Sequence, residues 1–577
     1  REDSARRRRR RDGERPRACA ARGPRRRQVD GHGHRLAESR RSRAVLFPAP
    51  PLQAYETPPR RRPYVGPRSN QAAAGLASTE TLGVASVRME LALSTVLFVS
   101  REGFRLALVR TTVVHDASKP MDRSLVKTSW IPALAGMVLA VLVGVIGVPR
   151  VPAAQRGREA LALYCAAAAV ESLSEPLHTL ALAQLVVAPR AAAEPAAALA
   201  RGLTLVYLLR TRAELEAAAF GAAQLVFAVV LGLVRAACWC GAVGFARAAE
   251  LAPRPSDGID SALAGVGAGF AAHSVLKHLL TEADRVVLTF AATAADAGVY
   301  AVVSNYGALV ARLLLQPAED AARLTFGKLG ALSAEAEKDE DRAAAKRQAG
   351  AVLFAFSRGL LYLGLLFGCV ASGYAAFALR LLHHGHARLG GADAAAAGAA
   401  LRAYCWYIPC LALNGIFEAF AQATAGPEDL RSLAAAHVAC AVAFAAVAPK
   451  LLAQHGAVGI VAASGMTMLL RAVFASTLAS RYFAKRLPRL ADAQFTAAPL
   501  AAFAAAWAAN EYSRQALQSL AAQESRLRLV AAAAPYLGIA ATTAAILLAT
   551  IYFCDKSFVV AVADLAGAAS GRRQKTD

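Results

Sequence analysis

The stretch WIPALAGMVLAVLVGVIGV, residues 130–148, runs for 19 residues without a charged side chain. About 20 apolar residues in a helix cross the hydrocarbon core of a bilayer, so this stretch alone predicts a membrane span. Similar apolar runs recur from about residue 82 to residue 556, and the chain is 56% hydrophobic and 18% charged, with a mean hydropathy of +0.37. This composition excludes a soluble multidomain protein and predicts an all-α polytopic membrane protein.

Apolar runs and their breaks predict 13 helices. They lie near 82–109, 129–148, 159–187, 196–209, 219–248, 262–291, 297–318, 350–379, 398–424, 431–451, 456–480, 493–510 and 529–555. The polar segment 328–349 is the longest predicted loop and divides the helices into seven and six. Such a division is typical of transporters built from two related bundles around a midplane cavity.

Lysine and arginine are concentrated in loops that share one side of the membrane if the helices alternate. These loops are 110–128, 328–349 and 481–489, and the C-terminal tail GRRQKTD joins them. Because basic loops are retained in the cytosol, this pattern predicts a cytosolic C-terminus.

The net charge of +24 arises largely from the head of the chain, since residues 1–68 hold 21 Arg and seven acidic residues. The head lacks apolar periodicity and is predicted to be disordered. Three interpretations remain: a basic arm on anionic lipid or nucleic acid, an Arg-rich transit segment, or residues foreign to the mature protein. The last is favoured because the chain begins at Arg1 rather than Met. Outside the head, no nucleic-acid partner is predicted.

The stretch LFVSREGFRLAL, residues 97–108, places Arg101, Glu102 and Arg105 inside an apolar run. Burying an ionisable group at membrane depth costs free energy, so such a group is expected to have a structural or functional role. Arg101 and Arg105 are one helical turn apart, a spacing that suits a phosphate or pyrophosphate. The alternative is that Glu102 or a neighbouring helix neutralises them near the interface, where long side chains snorkel.

The stretch AVESLSEPLHTLALAQ, residues 169–184, places Glu171, Glu175 and His178 on successive turns. Pro176 interrupts the backbone hydrogen bonds of the same helix, which is tolerated mainly where a helix is packed in protein or lines a cavity. These groups are interpreted as proton carriers or as charge balance for the arginines. An interhelical hydrogen-bonded network is the alternative.

The stretch HSVLKHLLTEADRVVLTF, residues 273–290, is the most densely charged of the apolar runs. Lys277, Thr281 and Arg285 form one stripe, with Glu282 and Asp284 beside it. A helix facing lipid would not carry four charged groups in so few residues. The helix is therefore predicted to face a hydrated cavity or to lie partly in the interface.

Polar residues recur at helical spacing in later helices as well. They are Asn305, Arg312, Gln316 and Glu319, then Asn414, Glu418 and Gln422, and finally Thr467 and Arg471. Together with the earlier stretches they predict a polar lining on at least six helices.

Motifs for covalent chemistry are missing from the sequence. There is no GxxxxGK[ST], HExxH or GxSxG motif, and none of the nine cysteines forms CxxC. The motif HHGH, residues 383–386, is interpreted as a solvated loop. No catalytic residue, cofactor or metal site is therefore predicted, and the cavity is interpreted as moving a molecule rather than changing it.

Four blocks of the sequence resemble the Rft-type proteins of the endoplasmic reticulum. They are LGVASVRMELALSTVLFVSREGFRLA at 82–107, the central segment at 274–321, LRAYCWYIPCLALNGIFEAFAQAT at 401–424 and GAVGIVAASGMTMLLRA at 456–472. Residues matching that family by position are Arg101, Glu102, Arg105, Glu175, Lys277, Glu282, Arg285, Arg312, Gln316, Glu319, Asn414 and Glu418.

The resemblance implies a fold like the MATE and MurJ-type flippases, with two six-helix lobes and two additional C-terminal helices. The implied divisions are a head at 1–74, an N-terminal lobe and the start of a C-terminal lobe at 75–327, the cytosolic loop at 328–349, the rest of the C-terminal lobe at 350–490, and the additional helices with a basic tail at 491–577. Family members carry an apolar first helix directly before GVASVR. This sequence has the Arg- and Pro-rich head there, which is why 13 helices rather than 14 are predicted.

The resemblance also implies a multi-pass protein of the endoplasmic reticulum membrane that acts in asparagine-linked glycosylation. Its partner would be a dolichyl-diphosphate-linked oligosaccharide, which it flips or helps to flip. Two alternatives are a cation-coupled exporter of small molecules, with Glu171, Glu175 and His178 as coupling groups, and a non-transporting organiser of the glycosylation machinery.

A diphosphate and its sugars need a hydrated basic cavity, while the polyprenyl tail can stay in lipid. The residues predicted to bind the substrate are Arg101, Arg105, Lys277, Arg285, Arg312, Gln316, Asn414, Glu418 and Gln422. Those predicted to balance charge or couple transport are Glu102, Glu171, Glu175, His178, Glu282 and Glu319. Neutralising Arg101 and Arg105 is predicted to impair glycosylation without lowering the protein level.

Overall fold

The computed structural model describes residues 76–109, 122–183, 188–243, 251–382, 391–483, 497–519 and 526–569. The regular elements in these ranges are all helical. Residues 1–74 and the HHGH motif lie outside the described ranges, as does the basic C-terminal tail.

The α-helices follow one another through seven described stretches of chain. They are α1 Thr79–Leu82, α2 Glu90–Val109, α3 Arg123–Gly147, α4 Gly157–Leu173, α5 Glu175–Ala183, α6 Ala188–Thr211, α7 Glu216–Val243, α8 Ser261–Thr281, α9 Ala283–Ala291, α10 Ala294–Val310, α11 Gln316–Glu335, α12 Asp339–Cys369, α13 Ala375–Leu382, α14 Gly391–Thr424, α15 Pro427–His455, α16 Ala457–Tyr482, α17 Ala497–Ser519, α18 Arg526–Cys554 and α19 Lys556–Ala569. Two π-helical segments, Gly83–Met89 and Ala311–Leu315, join α1 to α2 and α10 to α11.

Each of the 13 predicted runs contains helix, and ten helical segments of the described chain are long and apolar enough to cross a membrane. The prediction of a loop over 328–349 is wrong, because α11 continues to Glu335 and α12 begins at Asp339. Alanine, glutamate, lysine and arginine favour helix, so these helices extend beyond their apolar portions. The short helix α19 was not predicted.

Side chains at the helix starts explain several boundaries. Asp122 accepts a hydrogen bond from the backbone N–H of Ser124, and Asp260 accepts one from the backbone N–H of Leu263. Thr293 caps α10 in the same way. Each such cap satisfies an N–H group that has no partner within its own helix, which fixes where the helix begins.

Two of the predicted helices break where the sequence placed a proline or a cluster of charges. α4 ends at Leu173 and α5 begins at Glu175, so the chain bends at Ser174, two residues before Pro176. The backbone hydrogen-bond pattern changes here because proline has no N–H to donate. α8 and α9 meet at Glu282, whose backbone is not helical. Both breaks place charged side chains inside the protein.

The outer surface of α3 is apolar. Leu134, Val138, Val141 and Val145 are 53%, 58%, 61% and 69% exposed and follow one another at helical spacing. An exposed apolar face of this extent is expected where lipid, not water, surrounds the helix. The chain is therefore a multi-pass membrane protein.

The helices pack in two halves, α2–α7 and α10–α16. In the first half, α4 packs against α3 and α7, while in the second α14 packs against α11, α12 and α16. α8 lies against α2, where Thr95 Oγ1 is 2.8 Å from His278 Nε2 and the Phe98 ring stacks on the same imidazole. α9 instead contacts α15 of the second half. The break at Glu282 thus lets one predicted span contact both halves.

The backbone that leads into the first half, formed by α1 and the π-helical segment after it, touches α10 of the second half at one end of the bundle. A Cβ on Gly298 of α10 would lie 1.7 Å from the carbonyl oxygen of Thr79, and a Cβ on Gly83 would lie 1.9 Å from that of Ala294. Only glycine allows so close an approach. We call this contact the glycine seam. Beside it, the Thr79 hydroxyl donates a hydrogen bond to the Asp393 carboxylate.

The C-terminal helices are attached to the second half by a buried ion pair. Arg358 Nε of α12 lies 2.6 Å from Asp555 Oδ2, and the two side chains are only 3% and 2% exposed. Tyr362 donates its hydroxyl to the same carboxylate at 2.6 Å. Because Asp555 also accepts the backbone N–H of Phe558, it fixes the junction between α18 and α19 as well.

Candidate functional site

A cavity of about 870 Å³ lies between the two halves of the bundle. Glu90, Arg201 and Phe220 reach it from the first half, while Glu418 and Arg471 reach it from the second. Its charged lining consists of Arg201, Arg285, Arg312, Arg471, Glu90, Asp284 and Glu418, with His437 beside them. Charged groups at this depth are costly unless they are paired or hydrated, so the pairing of each one matters.

Glu90 compensates two of the arginines. Its carboxylate lies 2.9 Å from the Arg201 guanidinium and 3.8 Å from that of Arg285. Arg285 also lies 2.9 Å from Glu282, at the break between α8 and α9. These contacts join α2, α6 and α9 around one side of the cavity.

Glu418 is the centre of the opposite wall. Its carboxylate accepts hydrogen bonds from Arg471 at 2.9 Å, from Asn414 at 3.0 Å and from Gln422 at 3.1 Å. His437 Nε2 lies 3.5 Å away. The exact four-residue spacing of Asn414, Glu418 and Gln422 along α14 therefore forms one hydrogen-bonded row, which α15 and α16 complete.

Arg312 differs from the other three arginines. Among the residues that the structure describes, no carboxylate lies within the 4.0 Å of an ion pair with it, and its side chain is exposed within the cavity lining. It lies on the π-helical segment Ala311–Leu315, and such segments are frequent at functional sites. An anion that enters the cavity therefore meets one cation that no carboxylate of the described ranges neutralises.

Tyrosine side chains provide the uncharged part of the lining. The Tyr300 hydroxyl donates to Asp284 at 2.5 Å, which occupies that carboxylate. The rings of Tyr404 and Tyr407 pack edge to face with centroids 5.1 Å apart. Asn305 lies nearby in the lining. These groups offer flat apolar faces with hydroxyl and amide groups that can exchange hydrogen bonds with a polar ligand.

Arg101 and Arg105 lie in a separate cluster within the first half. Arg101 Nη1 is 2.7 Å from Glu171, and Arg105 makes two hydrogen bonds to Glu175, at 2.5 and 2.6 Å. Glu171 and Glu175 are buried, at 5% and 1% exposed. We call this group the N-half ion-pair cluster. The interpretation of the two glutamates as charge balance for the arginines agrees with this geometry.

Arg235 of α7 extends the N-half ion-pair cluster. It is 3% exposed and donates a hydrogen bond to the Ser174 hydroxyl at 2.8 Å. Ser174 is the residue at which the chain bends between α4 and α5. The bend therefore brings a hydroxyl to the third arginine of the cluster, which is buried, and His178, also buried, lies one turn further along α5.

The structure brings part of the predicted substrate set together. Arg285, Arg312, Glu418 and Gln422 line the cavity. The expectation that Arg101 and Arg105 share this cavity is not met, because carboxylates 70 residues further along the chain hold them elsewhere. The Lys277 side chain lies outside the described part of the structure.

The remaining predicted residues are not part of the cavity lining. Asn414 is buried behind Glu418, and Gln316 is exposed on the first turn of α11. Glu319 packs against Gly415 of α14, where a Cβ would lie 1.9 Å from its carboxylate oxygen. Glu102 is half-buried on α2, and Glu282 acts through Arg285.

Sequence reasoning missed Arg201, His437 and the tyrosines. Arg201 stands alone in the apolar run ALARGLTLVYLL, and an isolated charge in a span is itself a reason to expect a functional site. His437 and the tyrosines carry no comparable signal, because such residues are common in helices that only pack. Among the described residues, no group of three or more His, Cys, Asp or Glu is placed to hold a metal ion.

The sequence of most of the chain matches one protein family. Residues 69–564 match the family described as Rft protein. The Man(5)GlcNAc(2)-PP-dolichol translocation protein RFT1 of Xenopus tropicalis is 28% identical over 426 residues, covering 70% of this chain and 77% of the relative. The protein of the same name from Yarrowia lipolytica is 29% identical over 453 residues, covering 69% and 64%.

The fold also has a relative among solved structures. The lipid II flippase MurJ, in its inward closed conformation, superposes with a TM-score of 0.53 over 85% of this chain and 98% of MurJ, at 11% sequence identity. This likeness confirms the expected flippase-type arrangement of helices. With a family match that spans most of the sequence and a fold that agrees with it, the chain belongs to the Rft family.

Proposed function

We propose that this protein translocates, or assists the translocation of, a dolichyl-diphosphate-linked oligosaccharide across the endoplasmic reticulum membrane. The relatives carry the name Man(5)GlcNAc(2)-PP-dolichol translocation protein. The observation in this structure that supports the proposal most directly is Arg312, a cation without a carboxylate partner among the described residues, in a cavity between two helical halves.

Charge explains how the cavity would receive a diphosphate. Arg201, Arg285 and Arg471 are already compensated by Glu90 and Glu418. A diphosphate therefore gains most from Arg312, and it can share Arg285, which pairs with Glu282 at 2.9 Å but lies 3.8 Å from Glu90, too far for a direct hydrogen bond. A site with one arginine that the described carboxylates leave unpaired would bind a diphosphate and still release it.

The rest of the lining suits the sugars that follow the diphosphate. Gln422, Asn305 and the tyrosine hydroxyls can exchange hydrogen bonds with sugar hydroxyls, and the Tyr404 and Tyr407 rings offer flat faces. A volume of about 870 Å³ lies in the range that encloses a drug-sized ligand. In this conformation the cavity would hold the diphosphate and the first sugars, and the apolar outer surface leaves the polyprenyl tail in lipid.

The same charges argue against the export of cationic drugs. Four arginines and three carboxylates leave the charged lining with an excess of positive charge, which repels an organic cation. No reacting group is needed for either role, so the proposed function is not enzymatic. Endoplasmic reticulum residence and a cytosolic C-terminus are part of the proposal.

Complementation tests the proposal. Cells that lack their own Rft protein would receive this chain, Arg312→Gln or the control Arg323→Gln, and glycosylation of a secreted reporter would be compared at matched protein level. Arg323 is exposed on α11 and pairs with Asp320 outside the cavity lining. We expect the control to support glycosylation and Arg312→Gln to lose most of it. Full rescue by Arg312→Gln would remove the basis of the proposed site.

A second assay separates translocation from assistance. The full chain in sealed vesicles would be tested for transfer of a labelled dolichyl-diphosphate oligosaccharide between leaflets, with Arg312→Gln alongside. Transfer by the unmodified chain and not by the variant would assign movement of the lipid to the cavity. Rescue of glycosylation in cells without any transfer in vesicles would assign the chain an assisting role.

A further inference from the structure

A second cavity, of about 780 Å³, lies between the C-terminal half and α17, away from the central cavity. Its walls come from α13, the first turns of α14, the start of α16 and the last turns of α17. No residue of the proposed translocation site lines it. All four elements meet it at the end of the bundle where α13 ends and α14 begins.

Three arginines on three different helices point to this cavity. Arg380 lies on α13, Arg402 on α14 and Arg514 on α17. Glu511 lies 2.8 Å from Arg402 and 2.5 Å from Arg514, so one carboxylate serves two guanidinium groups. Glu511 itself does not line the cavity, and no carboxylate of the described residues does, so the lining carries an excess of positive charge.

Arg380 is the arginine of this cavity for which the described part of the chain supplies no acidic partner. Its described hydrogen bond is a long one, 3.4 Å, to the backbone carbonyl of Leu517, and within the described ranges no carboxylate lies within ion-pair distance. The side chain is only half-buried, so its guanidinium remains able to donate to a ligand. Arginine presents paired donors that match the oxygens of a phosphate group.

Two tryptophans complete the cavity. Trp406 and Trp507 line it while remaining 40% and 42% exposed, and neither indole N–H donates a hydrogen bond to another described residue. Tryptophan is enriched at the level of lipid headgroups, because its ring is apolar and its N–H is polar. A soluble anion has no apolar part that could pack on the two exposed rings beside the arginines. A phospholipid presents a phosphate to the arginines and an acyl chain to the rings.

We propose that this cavity binds the phosphate headgroup of an anionic phospholipid from the bilayer. Arg380 and Arg514 would hold the phosphate oxygens, and the two tryptophans would contact the glycerol and upper acyl region. Because Arg514 lies on α17 and Arg380 on α13, a bound lipid would also bridge the additional C-terminal helices to the second half of the bundle. This binding does not depend on the proposed function.

Binding of dioctanoyl phosphatidic acid to the full chain in detergent, followed by native mass spectrometry, tests the proposal. Arg380→Gln removes a cation without leaving an unpaired carboxylate, and we expect it to weaken binding about tenfold, the equivalent of one charged hydrogen bond. Arg380→Lys keeps the charge and should retain most of the affinity. The control is Arg150→Gln, an exposed arginine that alternation of the helices places at the same end.

Elution volume and thermal midpoint without lipid would show that each variant is folded. Equal affinity in Arg380→Gln and the unmodified chain, or an equal loss in Arg150→Gln, would overturn the proposed site. Equal binding of dioctanoyl phosphatidylcholine would show that net charge does not select the ligand and would overturn it too. If millimolar inorganic phosphate stabilised the chain as much as the lipid did, the cavity would be a site for a soluble anion, and the lipid assignment would fail.

Discussion

The carboxylate of Glu90 on α2 lies 2.9 Å from the guanidinium of Arg201 on α6, and their side chains are 23% and 21% exposed. An ion pair that is shielded to this degree resists the loss of one partner, because the other charge stays where water reaches it poorly. The pair joins two helices of the first half and faces the central cavity. It therefore contributes both to stability and to the charge that a ligand meets.

Glu90→Gln should lower the free energy of unfolding by about 1–3 kcal/mol, less than for a fully buried pair because both groups keep some solvent. The measurement is the thermal midpoint of the purified protein. Adding Arg201→Gln should recover part of the loss, since the unpaired cation is removed. A double variant less stable than the sum of the singles would contradict the pairing.

Arg105→Gln should lower the amount and stability of the protein, by about 3 kcal/mol, because Glu175 would lose a bidentate partner while only 1% exposed. This replaces the sequence-based prediction of an unchanged protein level. Quantitative blotting and thermal unfolding measure the effect. The Arg105→Gln, Glu175→Gln double variant should regain protein. If Arg105→Gln accumulates normally and only glycosylation falls, the arginine acts on substrate after all.

Arg358→Leu should loosen the attachment of α18 and α19, because it leaves Asp555 buried without its cation. The free energy of unfolding is expected to fall by about 3–5 kcal/mol. Limited proteolysis would detect it as faster cleavage between the second half and the C-terminal helices. The matched control is Arg528→Leu, on the exposed first turn of α18. Equal cleavage rates in the two variants would contradict a clamping role for the ion pair.

Asp257, in the segment between α7 and α8, supplies a pH-dependent contribution. The backbone N–H of Arg254 and then the Arg123 guanidinium hold the pKa of its carboxyl below the usual value. A lowered pKa in the folded state stabilises the protein above the unfolded pKa of about 4, and that contribution is lost as the pH falls through the folded value. The thermal midpoint should differ between the unmodified chain and Asp257→Asn at pH 7. The difference should shrink below about pH 4. A gap that stays constant down to pH 2 would rule out the linkage.

Much of the fold could be predicted from the sequence, because a membrane-spanning helix is recognised by a long run of apolar residues. The break at Pro176 and the row Asn414, Glu418 and Gln422 also followed from local spacing. The segment 328–349 resembles a loop in its density of charge, but its alanine, glutamate, lysine and arginine residues favour helix. Short-range patterns give helices and the faces of helices, and they do so even in a membrane.

The division of the cations between two clusters could not be predicted. Arg101 and Arg285 look alike along the chain, since each follows an apolar run and has acids close by. Carboxylates on other helices decide which cluster each arginine joins. Arg101 pairs with Glu171, and Arg285 lies near Glu90. Only the packing of whole helices brings those groups together. Long-range pairing, rather than residue type, separates a structural arginine from one that faces the cavity.

The glycine seam between Thr79 and Gly298 has a mechanical consequence for any alternating-access cycle. Two main chains in direct contact have no side chains between them that could rotate aside, so that end of the molecule can part only by rigid displacement of one half. Gly298→Ala would act as a wedge, favouring whichever state separates the halves there. In such a cycle, opening at that end would depend on a backbone contact that carries no charge.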